Sequence, residues 1–140
     1  MLPHTVIVDF GVALLVTSAG CEVLAAIAED DEFRIVALWT LVFGTAASTL
    51  AAISGFAAYT AAAPVGAADT VVIWHRNAGI VMLACFLPAA AWRLALRGAY
   101  PRRFAEVYWT IIVVGTAAVA VTAYFGGNAV FRHGVGVMDG

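Results

Sequence analysis

Four long apolar stretches set the terms for this chain. Residues 6–28, 35–61, 70–96 and 107–125 carry scarcely a charge and take up most of the 140 residues. As a helix, a segment of about 20 apolar residues crosses the hydrocarbon core of a bilayer. None of the four shows the alternation of a strand, so a β-barrel is excluded. Composition agrees, with 64% hydrophobic and 11% charged residues and a mean hydropathy of +0.97. A soluble domain carries about 25% charged residues. A water-soluble fold of this size could not hide so much apolar surface. A soluble enzyme, a disordered tail and a nucleic-acid binder are therefore excluded. Basic residues number seven against nine acidic, for a net charge of −2, so the electrostatic footprint for nucleic acid is missing too.

The connections are short and hold breakers or charge: residues 29–34, 62–69 and 97–106. Short loops join antiparallel neighbours. The expected fold is an all-α integral membrane domain over residues 1–140, an up-down-up-down bundle of four transmembrane helices. The segment 126–140 holds Gly126, Gly127, Gly134, Gly136 and Gly140, and glycine disfavours helix. It is expected to be an extended or hairpin-like tail. No Lys or Arg precedes Arg34, so the first apolar run reads as a retained helix rather than a cleaved signal. All basic residues are Arg. Arg34, Arg93, Arg97, Arg102 and Arg103 fall on one side, Arg76 and Arg132 on the other. The Arg-rich side is expected to be cytoplasmic and both termini extracytoplasmic.

Four crossings gather His4, His75 and His133 at the outer face, joined by Asp9, Arg76, Asn77 and Arg132. Asp9 lies roughly 7 Å deeper than His4 at the helical rise of about 1.5 Å per residue, and His75 at a similar depth. An ionisable residue inside a span is costly and needs a partner, so Asp9 is assigned His75 or Arg76. At the inner end Glu22 and Arg93 reach similar depth and can form an ion pair, either a structural latch or part of a proton path. Gly44, Ser48, Ala51 and Gly55 share one face of the second span, a surface for close helix packing or for a flat cofactor. Pro88 is expected to kink the third span. Trp74, Tyr100, Tyr108 and Trp109 lie near span ends, as in an interfacial aromatic belt. Cys21 and Cys85 lack metal-site spacing and read as small core residues.

The opening Leu2-Pro-His-Thr-Val-Ile-Val-Asp-Phe-Gly-Val-Ala-Leu-Leu15 and the closing Gly126-Gly-Asn-Ala-Val-Phe-Arg-His-Gly-Val-Gly-Val137 resemble a bacterial membrane family known as domain of unknown function 2231. His75-Arg76, Glu22, Arg93 and the run from Gly44 to Gly55 fit the same pattern. The chain departs from it at Thr5, at Gly11, and at Asp9, where the family has a second histidine. Members of that family are often joined to Rieske or cytochrome domains. The resemblance thus implies membrane electron transfer in a bacterial inner membrane.

Three functional readings follow. The chain is expected to be a small accessory subunit of a respiratory or photosynthetic membrane complex, without enzyme chemistry of its own, contacting lipid and other subunits. The alternative is a b-type cytochrome. Its haem would be held by His75 with His4 or His133, and Arg76 or Arg132 would pair with the propionates. The third is a metal site built from the outer-face His and Asp residues.

Overall fold

A computed structural model describes residues 2–62 and 66–135, the side chains of residues 2–5, 58, 61 and 62 excepted. It contains four long helices: α1 (Leu2–Ala28), α2 (Asp31–Ala62), α3 (Ala67–Ala95) and α4 (Ala105–His133). A single 3-10 turn, Arg102–Phe104, precedes α4. No strand occurs among the described residues. Each helix is long and apolar enough to cross a membrane. In each span's most apolar window only 28–33% is buried within the chain. The remainder is apolar surface, including Phe10, Ile53, Val113 and Phe131. Such a surface suits lipid as the surrounding solvent, and in lipid every backbone polar group must be satisfied inside its own helix.

Local sequence explains the helix ends. Asp30 caps α2, its carboxylate accepting the Glu32 N–H at 2.7 Å. Asp31 and Glu32 then add negative charge to the first turn, where the helix dipole favours it. α1 ends on Glu29, at φ 54°. α3 ends in a Schellman motif, with Gly98 N–H bonded to the Arg93 carbonyl at 2.7 Å and Arg97 N–H to the Leu94 carbonyl at 2.9 Å. Glycine usually fills the left-handed position of that motif, yet here it is Arg97, at φ 53°. An L-residue in this conformation costs about 1–2 kcal/mol.

α1 and α2 touch at Gly11 with Ser48, at Leu15 with Gly44 and at Ser18 with Ala37. That order runs oppositely along the two helices. α3 and α4 touch at His75 with Gly126, at Phe86 with Gly115 and at Trp92 with Tyr108, again in opposite order. The molecule is thus two closely packed helical hairpins. They share one core, in which Leu15 and Leu41 of the first meet Met82, Phe86, Ala89, Tyr108, Ile112 and Val119 of the second. Small residues allow the close contacts: Ser18 Oγ donates to the Ala37 carbonyl of the neighbouring helix at 2.9 Å. The face bearing Gly44, Ser48 and Ala51 is buried, and Gly44 and Ser48 are spent on α1.

One expectation is corrected. Residues 126–133 are not an extended tail, because α4 continues through Gly126 and Gly127 to His133. Helix is the conformation that satisfies backbone groups in lipid, which outweighs the low propensity of glycine. Gly126 also makes room for a ring: a Cβ there would lie 3.0 Å from His75 Cε1 and Nδ1. The helix stops at Gly134, φ 63°, and residues 136–140 lie outside the described residues. Pro88 sits inside α3 without ending it. Cys21 and Cys85 are free and half-buried.

The glycine contacts give a direct test. A Cβ on Gly44 would stand 3.0 Å from Leu14 Cβ, Leu15 Cγ and the Leu15 backbone nitrogen, whereas a Cβ on Gly20 meets nothing within 4 Å. Gly44→Ala should destabilise the detergent-solubilised chain by about 1–3 kcal/mol, the usual effect of overpacking. Gly20→Ala should leave the thermal midpoint unchanged or raised.

Candidate functional site

The structure builds one dense polar cluster within the apolar bundle, at the end holding the α1–α2 and α3–α4 connections. α1 supplies Glu22, α3 supplies Arg93 and α4 supplies Tyr108, all fully buried. The α3–α4 connection supplies Tyr100. Glu22 Oε1 accepts from Arg93 Nη1 and from Tyr108 Oη at 2.6 Å. Glu22 Oε2 accepts from Tyr100 Oη. Arg93 Nη1 also donates to Tyr108 Oη at 3.1 Å, Nε to the Gly98 carbonyl at 3.2 Å and Nη2 to the Arg34 carbonyl at 3.2 Å. The Tyr100 ring lies 4.5 Å below the Arg93 guanidinium carbon, a cation–π arrangement.

Local geometry makes this possible. The left-handed Arg97 and Gly98, at φ 53° and 85°, turn the chain sharply so that the Gly98 carbonyl faces back onto Arg93. A Cβ on Gly98 would lie 3.0 Å from Leu38 Cδ2, so only glycine fits against α2 without a shift. Tyr108 shares a buried face with Ile112, Gly115 and Val119. Tyr100 sits outside the spans, and its phenol is pushed above the ordinary range, first by burial and then by its hydrogen bond to Glu22.

Chemically this is a closed network. Both carboxylate oxygens of Glu22 and all three guanidinium nitrogens of Arg93 have partners. A buried pair alone is weak evidence for stability, but it specifies register. Residues from all four helices and one connection must align for it to form.

Sequence reasoning brings Glu22 and Arg93 together, and the structure does the same. It misses Tyr100 and Tyr108, assigned to an interfacial belt. Tyr108 is wholly buried and Tyr100 half-buried, and both bond Glu22. The available signal was the unmet hydrogen-bonding capacity of a carboxylate already paired with one Arg. Trp74 is exposed, stacked on Phe125 at 6.0 Å and 18°, and Trp109 is half-buried.

The outer face differs from the expected joined cap. Asp9, Arg76, Asn77, Arg132 and His133 are exposed. Among the described residues none of them hydrogen-bonds or ion-pairs with another. Asp9 therefore has neither His75 nor Arg76 as partner, because it lies on the outward side of α1, away from the α3–α4 hairpin. His75 is half-buried, and its Nδ1 donates to the Thr122 carbonyl of α4 at 2.8 Å. A carbonyl only accepts, so Nδ1 carries the proton in this bond. His133 lies seven residues beyond Gly126, two helical turns or roughly 10 Å farther along α4. The side chain of His4 lies outside the described residues. No group of three or more His, Cys, Asp or Glu gathers among the described residues. At the same end Tyr59 donates to Asp69 at 2.7 Å, joining α2 to α3.

Removing one partner of the buried pair leaves an uncompensated charge. Arg93→Met should destabilise the chain by about 3–5 kcal/mol, and Glu22→Leu combined with Arg93→Met should recover most of that loss. Thermal unfolding in detergent measures both. The raised Tyr100 phenol sets a sign for pH: its contribution is complete below the ordinary tyrosine range of about 10 and is lost as pH rises beyond it. The stability difference between the native chain and Tyr100→Phe should therefore shrink at alkaline pH.

No curated protein and no solved structure matches the chain. A family model described as a predicted membrane protein, DUF2231, matches residues 3–139. With four membrane-length helices and a match across nearly its whole length, the chain belongs to that family.

Proposed function

We propose that the protein is a small accessory subunit of a larger membrane electron-transfer complex, respiratory or photosynthetic, packing against its partners through its helices. One observation carries the subunit reading. The outward face of α1 presents Ala13, Thr17 and Gly20, all exposed, with open space around Gly20. Small residues on the outside of a membrane helix let a second helix approach closely, whereas lipid makes no such demand. The closed state of the Glu22–Arg93 network fits the same reading, since it leaves no free group for substrate chemistry. The sequence resemblance supports the electron-transfer context. In this reading the Arg-rich end is cytoplasmic, in a bacterial inner membrane, with both termini extracytoplasmic.

A second reading, a b-type haem protein, is favoured by His75. Its Nδ1–H bond to a backbone carbonyl is the arrangement that orients an imidazole and leaves Nε2 for a metal. The second axial ligand would be His4 or His133, with Arg76 and Arg132 near the propionates.

The two readings separate in one preparation. In mild detergent the native chain should migrate well above its own 14.6 kDa, and Gly20→Leu should release the free chain. Migration as a free chain from native membranes would overturn the subunit reading. A reduced-minus-oxidised spectrum with haem bands that vanish in His75→Ala would establish the alternative.

A further inference from the structure

We infer that the Arg-rich end of the bundle binds the phosphate headgroup of an anionic phospholipid, in the groove beside Tyr100 lined by Arg34, Arg97 and Arg102. The groove is open and has a volume of about 660 Å³. It lies where α2 begins and α3 ends, which is headgroup level for helices that span the hydrocarbon core.

Its charge is unbalanced. Asp31 lines it but is taken up by Arg34, whose Nη1 lies 2.7 Å from its carboxylate. Glu29, Asp30 and Glu32 do not line it. Arg97 and Arg102 are exposed, and neither guanidinium has a hydrogen-bond or ion-pair partner among the described residues. Two arginine forks therefore face the groove uncompensated, and such forks match phosphate oxygens. Arg34 Nε is shielded from water and also lacks a partner, so this guanidinium too has unused donor capacity.

The backbone supplies an independent observation. Arg97 holds the left-handed position of the α3 terminus, at φ 53°, where glycine would be free of strain. The chain thus tolerates local strain at the residue that puts a cation on the groove's rim, and strain of this kind gathers at ligand sites.

The lower wall identifies the ligand as a lipid rather than a free phosphate. Ile35 and Trp39 line the groove one turn apart on α2 and are 58% and 49% exposed. Phe43, a turn deeper, stacks on Trp39 at 5.7 Å and 26°. Cations at headgroup level above a continuous apolar track match a phosphate ester above an acyl chain. Basic pockets between membrane helices bind anionic headgroups in this way.

The test uses the full chain in neutral detergent, titrated with phosphatidylglycerol, phosphatidylcholine or free glycerol phosphate and followed by thermal unfolding. A ligand that binds only the folded state raises the midpoint with its concentration. Phosphatidylglycerol should raise it saturably, and less so at high salt; the other two should not. The double variant Arg97→Gly with Arg102→Ala should weaken the apparent affinity roughly thirty-fold, at the usual contribution of each Arg near an anionic surface. Arg132→Ala, at the opposite end, should leave it unchanged. Since Arg97→Gly relieves backbone strain, the double variant should remain as stable as the native chain without lipid. Equal stabilisation by phosphatidylcholine, or an undiminished response in the double variant, would overturn the proposal. An equal response to glycerol phosphate would make this a soluble-anion site and overturn the lipid assignment.

Discussion

A carboxylate and a guanidinium buried in an apolar bundle constrain everything else in this molecule. Neither can be left alone in a low-dielectric interior, where an unpaired charge costs several kcal/mol. Glu22 and Arg93 therefore have to meet, and the polar atoms left over on each must be satisfied nearby. Tyr108 comes from α4, Tyr100 and the Gly98 carbonyl from the α3–α4 connection, and the Arg34 carbonyl from the first turn of α2. The geometry of the Arg-rich end follows from completing that shell. The abrupt end of α3, the left-handed Arg97 and the glycine against Leu38 all position acceptors around one guanidinium.

Away from the cluster the forces are of a different kind. Lipid is as apolar as the helices, so apolar burial drives little association, and packing depends on shape. The close contacts at Gly11, Gly44, Gly115 and Gly126 hold each hairpin together. The shared core of Leu15, Leu41, Met82 and Phe86 then joins the two hairpins. At the opposite end the described residues link neighbouring helices by hydrogen bonds from His75 to Thr122 and from Tyr59 to Asp69.

How much was legible in the sequence depended on whether a residue's role was set by its own helix or by a distant one. Four spans and the inner pairing of Glu22 with Arg93 follow from hydropathy and depth, which are properties of a single segment. Tyr108 and Tyr100 could not be assigned this way, because tyrosine near a span end is equally suited to the interface and to a buried carboxylate. Asp9 failed for a related reason: depth is readable from residue count, but rotation about the α1 axis is not, and Asp9 faces outward. The glycines at 126 and 127 read as helix breakers by aqueous propensity, but α4 continues through them, with the His75 ring packed where a Cβ of residue 126 would lie. The cap on α2 by Asp30 and the left-handed end of α3 are tertiary and capping details that periodicity does not carry.

The separation of Glu22 and Arg93 along the chain, 71 positions, bears on how the protein enters the membrane. At a synthesis rate of about 5–20 residues per second, Arg93 leaves the ribosome roughly 4–14 s after Glu22. The first hairpin is complete well before then, and its carboxyl has yet to meet Arg93. During that interval Glu22 lacks the guanidinium that pairs with it in the finished bundle. The second hairpin then supplies not only half of the fold but the counter-charge of the buried pair. The buried pair can close only once the third helix has been made.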